Sequence, residues 1–174
     1  MSNRSTHPLF VILLLLVIIS CDEAVKESNV ITLENWSSRK ASLKEMDSLE
    51  HGKTYLSVYS QIYSTSENRT HNLTVMVSMR NMSDTDTVYI RSAKYYGSKG
   101  NLLKSYFEEP IFLAPLETSE IIIDEADISG GTGSNFLFEW MTPFESNDPH
   151  FEAVMNSTLG KQGLSFITEG KRIQ

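Results

Sequence analysis

The only cysteine in the sequence, Cys21, follows Ile18-Ile19-Ser20 and precedes Asp22-Glu23. A thiol is the strongest nucleophile among the side chains, and a lone one directly after an apolar run is placed for modification, not for pairing. One cysteine excludes an internal disulfide framework and every all-cysteine metal site. The four histidines, His7, His51, His71 and His150, form no close pair and no H-E-x-x-H run. His51, His71 and His150 read as surface residues near segment ends. No Gly-x-Ser-x-Gly elbow is present, so nucleophilic hydrolysis has no recognisable centre.

Two further stretches could carry chemistry. Gly130-Gly131-Thr132-Gly133 resembles a phosphate cradle, but such a loop must open a helix, and the Walker form adds a lysine. Here Asn135-Phe136-Leu137-Phe138 continues as a strand and no lysine follows, so the glycines read as a turn with positive φ between two strands. Asp124, Glu125 and Asp127 precede the loop and Ser134 and Asn135 follow it, an oxygen-rich set that matches no EF-hand spacing. No metal or cofactor is expected. Glu139 lies between Phe138 and Trp140. Buried unpaired it would be costly, so it must be exposed or paired, with Arg172 or Arg91 as the expected partner. Trp140 reads as core. The residues retained as binding candidates are Asp127, Gly130, Gly131, Gly133, Asn135, Glu139 and Arg172.

The apolar run before Cys21 is Leu9–Ile19, with Arg4 ahead of it. A spanning helix needs about 20 apolar residues, so this run is too short for a permanent anchor and fits the core of a secretory signal. With Ile18-Ile19-Ser20-Cys21 it resembles the bacterial lipobox. That resemblance implies cleavage before Cys21, a diacylglycerol on the thiol, and acylation of the new amine by palmitate or a similar chain. Two or more chains hold a protein stably on a bilayer, where one alone is marginal. The expected address is the cell membrane or the outer membrane, facing away from the cytoplasm. Twenty-two acidic against 15 basic residues, a net charge of -7, argue against nucleic acid as a partner.

The elements that must position these residues are strands. Asp22–Asn35 is polar and aperiodic, and reads as a tether. Ser42-Leu43-Lys44-Glu45 has capping-box spacing, and Leu43, Met46 and Leu49 share a helical face before Gly52, which predicts a short helix. From Tyr55 the period becomes two. Leu56 and Val58, then Leu73, Val75, Val77 and Met79, alternate with polar residues. Val88–Tyr96 leads through Gly97–Asn101, a hairpin signal, to Leu102–Phe107. Ile111–Leu113, Ile121–Ile123, Phe136/Phe138/Trp140, Ala153–Met155 and Leu164–Ile167 follow. The expectation is an all-β, antiparallel, immunoglobulin-like sandwich over 55–174, after a signal over 1–20 and a lipidated tether with a short helix over 21–54.

In order along the chain stand Val58-Tyr59-Ser60-Gln61-Ile62-Tyr63, Leu73-Thr74-Val75-Met76-Val77-Ser78-Met79-Arg80-Asn81, Tyr95-Tyr96, and Leu113-Ala114-Pro115-Leu116. Gly130–Trp140, Gln162–Phe166 and Gly170-Lys171-Arg172 complete the series. Together they resemble the bacterial lipoprotein family known as domain of unknown function 3124. The resemblance implies a compact β domain on a lipoprotein and no assigned activity. Function is therefore expected to be binding or assembly at the envelope, with a protein or glycan partner besides the bilayer. The alternative is a lipid-anchored hydrolase of envelope polymers working through carboxylates such as Asp127 and Glu139.

Overall fold

Valine, isoleucine and aromatic residues at every second position fit a pleated surface with one face buried, and such segments dominate the domain. The computed structural model describes residues 35–41, 48–158 and 163–174. Cys21 and its signal lie outside the described residues, as does 42–47, most of the segment expected to be helical. The described helical structure is a single 3-10 turn, Trp36–Arg39, capped by the Asn35 side chain, which accepts from the Ser37 N–H.

Twelve strands follow among the described residues: β1 Glu50–Val58, β2 Gln61–Tyr63, β3 Thr70–Asn72, β4 Thr74–Arg80, β5 Val88–Tyr96, β6 Leu102–Ser105, β7 Ile111–Leu113, β8 Thr118–Ile123, β9 Ser134–Thr142, β10 His150–Ser157, β11 Leu164–Glu169 and β12 Lys171–Arg172. All pairings are antiparallel. One sheet has the order β12-β1-β9-β5-β6, with β7 also on β5; the other has the order β11-β10-β4-β8. Strands β2 and β3 form a separate hairpin.

The first strand begins at Glu50, ahead of the Tyr55 expected from periodicity. Gly52 and Thr54 already occupy the inward phase of Leu56 and Val58, and all four are buried. Their small or polar side chains hid the alternation. Gly52 ends no helix; it stands opposite Trp140 in the β1–β9 register.

The two sheets enclose one core. Leu56, Val58, Ile90, Phe136 and Phe138 from the first meet Val75, Val77, Met79, Phe151 and Met155 from the second, all at most 1% exposed. An aromatic series ties them: Tyr95–Phe136 at 5.0 Å, Phe136–Phe138 at 5.4 Å and, across the gap between sheets, Phe138–Phe151 at 4.2 Å. Each such ring contributes about 1.5–3 kcal/mol by burial. The β5–β6 hairpin closes as expected, with the Gly97 N–H donating to Asn101 O at 2.9 Å and Gly100 in the left-handed region at φ +77°.

The centre of the sandwich has the immunoglobulin arrangement: β4 pairs with β8, β5 pairs with β9, and the chain crosses between sheets from β4 to β5 and from β8 to β9. The outer strands differ from that layout. The first long strand, β1, lies beside β9, and β10, the strand after β9, lies beside β4.

Buried Asn81 ties two loops at one end of the sandwich. Its amide donates to the carbonyls of Asp86, Leu113 and Ala114 at 2.7, 3.1 and 3.0 Å, and its oxygen accepts from the Ser83 N–H at 2.9 Å. The side chain thus satisfies backbone groups that no strand partner reaches.

Candidate functional site

The β5–β9 register jumps from Ile90↔Trp140 to Ser92↔Glu139, so Arg91 is an extra residue in β5 with no partner on β9. A bulge of this kind re-aims a side chain out of the ladder. Two strands away, Gly52 lets the Trp140 indole lie flat against the β1 backbone, where a Cβ would overlap the ring. The flanking residues His51 and Lys53 have the opposite, outer phase. Strand β12 then brings in the chain that follows it: the Lys53 N–H donates to Gln174 O at 3.1 Å and the Ile173 N–H to Lys53 O at 2.8 Å. The result is a cavity of about 260 Å³ lined by His51, Lys53, Arg91, Glu139 and Gln174, with the strand positions of Gly52 and Trp140, whose indole is 1% exposed, between them.

Glu139 is not paired by Arg172 or Arg91, the partners expected from sequence. Lys53 Nζ lies 3.3 Å from its Oε1, and the Ser92 hydroxyl donates to Oε2 at 3.3 Å. The reason is register: Lys53 stands directly opposite Glu139 on β1. Burial pushes the Glu139 carboxyl up, but Lys53, Lys94 and Ser92 outweigh it and hold it below the usual value of 4.5. Glu117 behaves likewise. Its burial is outweighed by the Ala114 N–H at 2.7 Å and by Arg39 at 2.6 Å. A carboxyl lowered by folding stabilises above its unfolded pKa, and that contribution is lost as pH falls through the folded value. Urea midpoints should therefore be level above the ordinary carboxylate range and fall below it. Glu139→Gln should flatten part of that fall, and an unchanged acid limb would show that the Lys53 pair is idle.

Arg172 is committed elsewhere. It holds both Asp148 oxygens at 2.8 and 2.9 Å and Glu50 at 2.8 Å, with its guanidinium 4.9 Å from the Trp140 ring centroid. Trp140 itself is 1% exposed, as expected of a core residue. Arg91 is exposed and makes no hydrogen bond or ion pair among the described residues.

The remaining candidates lie apart from this cavity. Asn135 sits at the far end of β9, half-buried between Ser57 and Tyr96 in register. Asp127, in the loop before β9, accepts from the Ser129 N–H and hydroxyl at 3.1 and 2.6 Å. From Ser134, where that loop ends, to Glu139 is roughly 17 Å of extended strand. Acid–base carboxyl pairs work at about 5–9.5 Å, so the strand does not bring Asp127 and Glu139 together. Among the described residues, no cluster of three or more histidine, cysteine or acidic residues is arranged to hold a metal ion.

Of the three glycines read as needing positive φ, only Gly131 has it, at φ +70°. Gly130 is required by proximity instead: a Cβ there would overlap the Tyr95 hydroxyl and the Ser60 Oγ, and lie 2.7 Å from Ser134 Oγ. Those three hydroxyls form a buried chain, Ser60–Tyr95 at 3.1 Å and Tyr95–Ser134 at 3.3 Å, ending on Val58 O at 3.0 Å. Gly133 is exposed with ordinary φ, and a Cβ there would lie 3.5 Å from Ser98 Oγ. Gly130 and Gly131 thus each have a structural reason to be glycine, and the loop plugs against the hydroxyl chain.

A second cavity, of about 350 Å³, lies where Trp36 packs on Phe107 at 5.4 Å. Its lining joins Trp36, Tyr106 and Phe107 to Ser37 and Glu108, and Lys40 and Glu109 pair with each other there at 2.7 Å.

Sequence reading missed His51, Lys53 and Gln174 and placed Arg91 only as a partner for Glu139. The available signal was the inward series Gly52, Thr54, Leu56, Val58, which implies an outer series His51, Lys53. No curated protein and no solved structure matches the chain. A family model does: residues 51–173 match the protein of unknown function DUF3124, and the chain belongs to that family.

Proposed function

We propose that this chain is a non-enzymatic lipoprotein of the bacterial cell envelope, held on the membrane by acylated Cys21, and that its β-sandwich is a binding module. The observation that carries the reading is the run Leu9–Ile19 ending in Ile18-Ile19-Ser20-Cys21, with the single cysteine of the chain at the one position where lipid attachment needs it. No helix among the described residues is long and apolar enough to cross a membrane, so acylation would supply the anchor. A binding role is favoured over a hydrolytic one because Glu139 is held by Lys53 and stands apart from Asp127. An acid catalyst needs a raised pKa, and Glu139 has a lowered one.

The variant Cys21→Ser tests the address. It should leave the precursor uncut, block incorporation of labelled palmitate, and move the protein from the detergent to the aqueous phase. Unchanged palmitate labelling and partition would overturn the lipoprotein reading.

A further inference from the structure

We propose that the cavity beside the Arg91 bulge binds the carboxylate of a sugar acid of monosaccharide size. The proposal rests on the binding-module reading and supplies its ligand class.

Three observations converge. Arg39, Arg80 and Arg172 each hold a carboxylate, whereas Arg91 has no partner among the described residues although a bulge turns it out of the ladder. A guanidinium offers a planar pair of donors suited to a carboxylate. The only acidic side chain of the lining, Glu139, is already engaged by Lys53 and Ser92. It does not call for a ligand ammonium, which favours a hydroxylated acid over a zwitterionic amino acid, and its outer lone pairs can accept from ligand hydroxyls. Finally, about 260 Å³ lies below the roughly 300–1,000 Å³ of sites for larger ligands.

Such an acid could be free or the end of an acidic polysaccharide, and both present the same carboxylate. Calorimetric titration of the detergent-solubilised full-length protein with glucuronate, glucose, glycine and inorganic phosphate tests the assignment. Glucuronate should bind, with each of the other three roughly ten-fold weaker or undetectable. Arg91→Gln should weaken glucuronate by about ten-fold or more without moving the melting temperature, because Arg91 is exposed and unpaired. Arg69→Gln, on the exposed β2–β3 hairpin, should change nothing. A glucuronate oligomer that binds at least as tightly as the monomer assigns the polymer end, and weaker binding assigns the free acid. Absence of glucuronate binding, equal binding of glucose, glycine or phosphate, or full retention in Arg91→Gln would overturn the proposal. These results are separate from the partition of Cys21→Ser, so the address and the ligand fail independently.

Discussion

Truncating Trp140 to alanine is expected to lower the stability of the domain by roughly 3–5 kcal/mol, the range for removing a large buried aromatic. The indole is 1% exposed, and its N–H donates to the Thr54 hydroxyl at 2.9 Å inside the sandwich. Removing it opens a cavity, strands that hydroxyl, and takes away the ring under Arg172. Native domains hold only about 5–15 kcal/mol in reserve, so the loss would be a large share of the total. The neighbouring glycine makes the cause separable. Gly52→Ala alone should be strongly destabilising, since its Cβ would overlap the indole. In the Trp140→Ala background the same change should cost far less, because the obstructing ring is gone. Chemical denaturation of the four proteins measures this coupling. Additive losses would mean that the two residues do not contact each other in solution.

The glycine loop should give an ordered series rather than a uniform response. Gly130→Ala drives a methyl into the hydroxyl chain of Ser60, Tyr95 and Ser134, and should cost about 1–3 kcal/mol or more by overpacking. Gly131→Ala brings a methyl within 3.0 Å of the Ser98 hydroxyl, which can rotate aside, and must hold φ +70°, a left-handed backbone that costs an L-residue roughly 1–2 kcal/mol. Gly133→Ala meets neither obstacle and should be neutral or gain up to about 1 kcal/mol by restricting the unfolded chain. Melting temperatures should therefore fall in the order Gly133→Ala, Gly131→Ala, Gly130→Ala. Equal losses at all three would contradict the plug and point to a requirement shared by the whole loop.

The sandwich was legible wherever an inward residue was large and apolar. Phe136, Phe138 and Trp140 advertise β9 by themselves, and Val75, Val77 and Met79 do the same for β4. Strand β1 was read short because its first inward positions are Gly52 and Thr54, which carry no hydrophobic signal yet are fixed by the indole packed on them. The cavity was hidden for a related reason. Its members come from β1, β5, β9 and the chain after β12, and only the sheet order places them side by side. Glu139 could be identified locally as needing a partner, but its choice of Lys53 over Arg91 or Arg172 follows from cross-strand register. The bulge at Arg91 shifts the inward phase from Val88 and Ile90 to Ala93 and Tyr95, but with only two residues on each side of it the shift does not stand out in the sequence.

The position of β1 beside β9 has a consequence for how the chain acquires its structure. Ser134 meets Val58 across 76 residues, and Trp140 meets Thr54 across 86. Closing loops of that length costs entropy before any contact repays it, which slows folding. A chain that emerges N-terminus first would have Glu50–Val58 available from the start while its neighbour was still absent. The β4–β8 and β5–β7 pairings can form earlier, from segments already delivered. The first strand would then be among the last to dock, leaving an unpaired edge open to other chains in the interval. Lys53 in the middle of that edge is the kind of charge that discourages intermolecular pairing, so one lysine would guard β1 during folding and hold Glu139 afterwards.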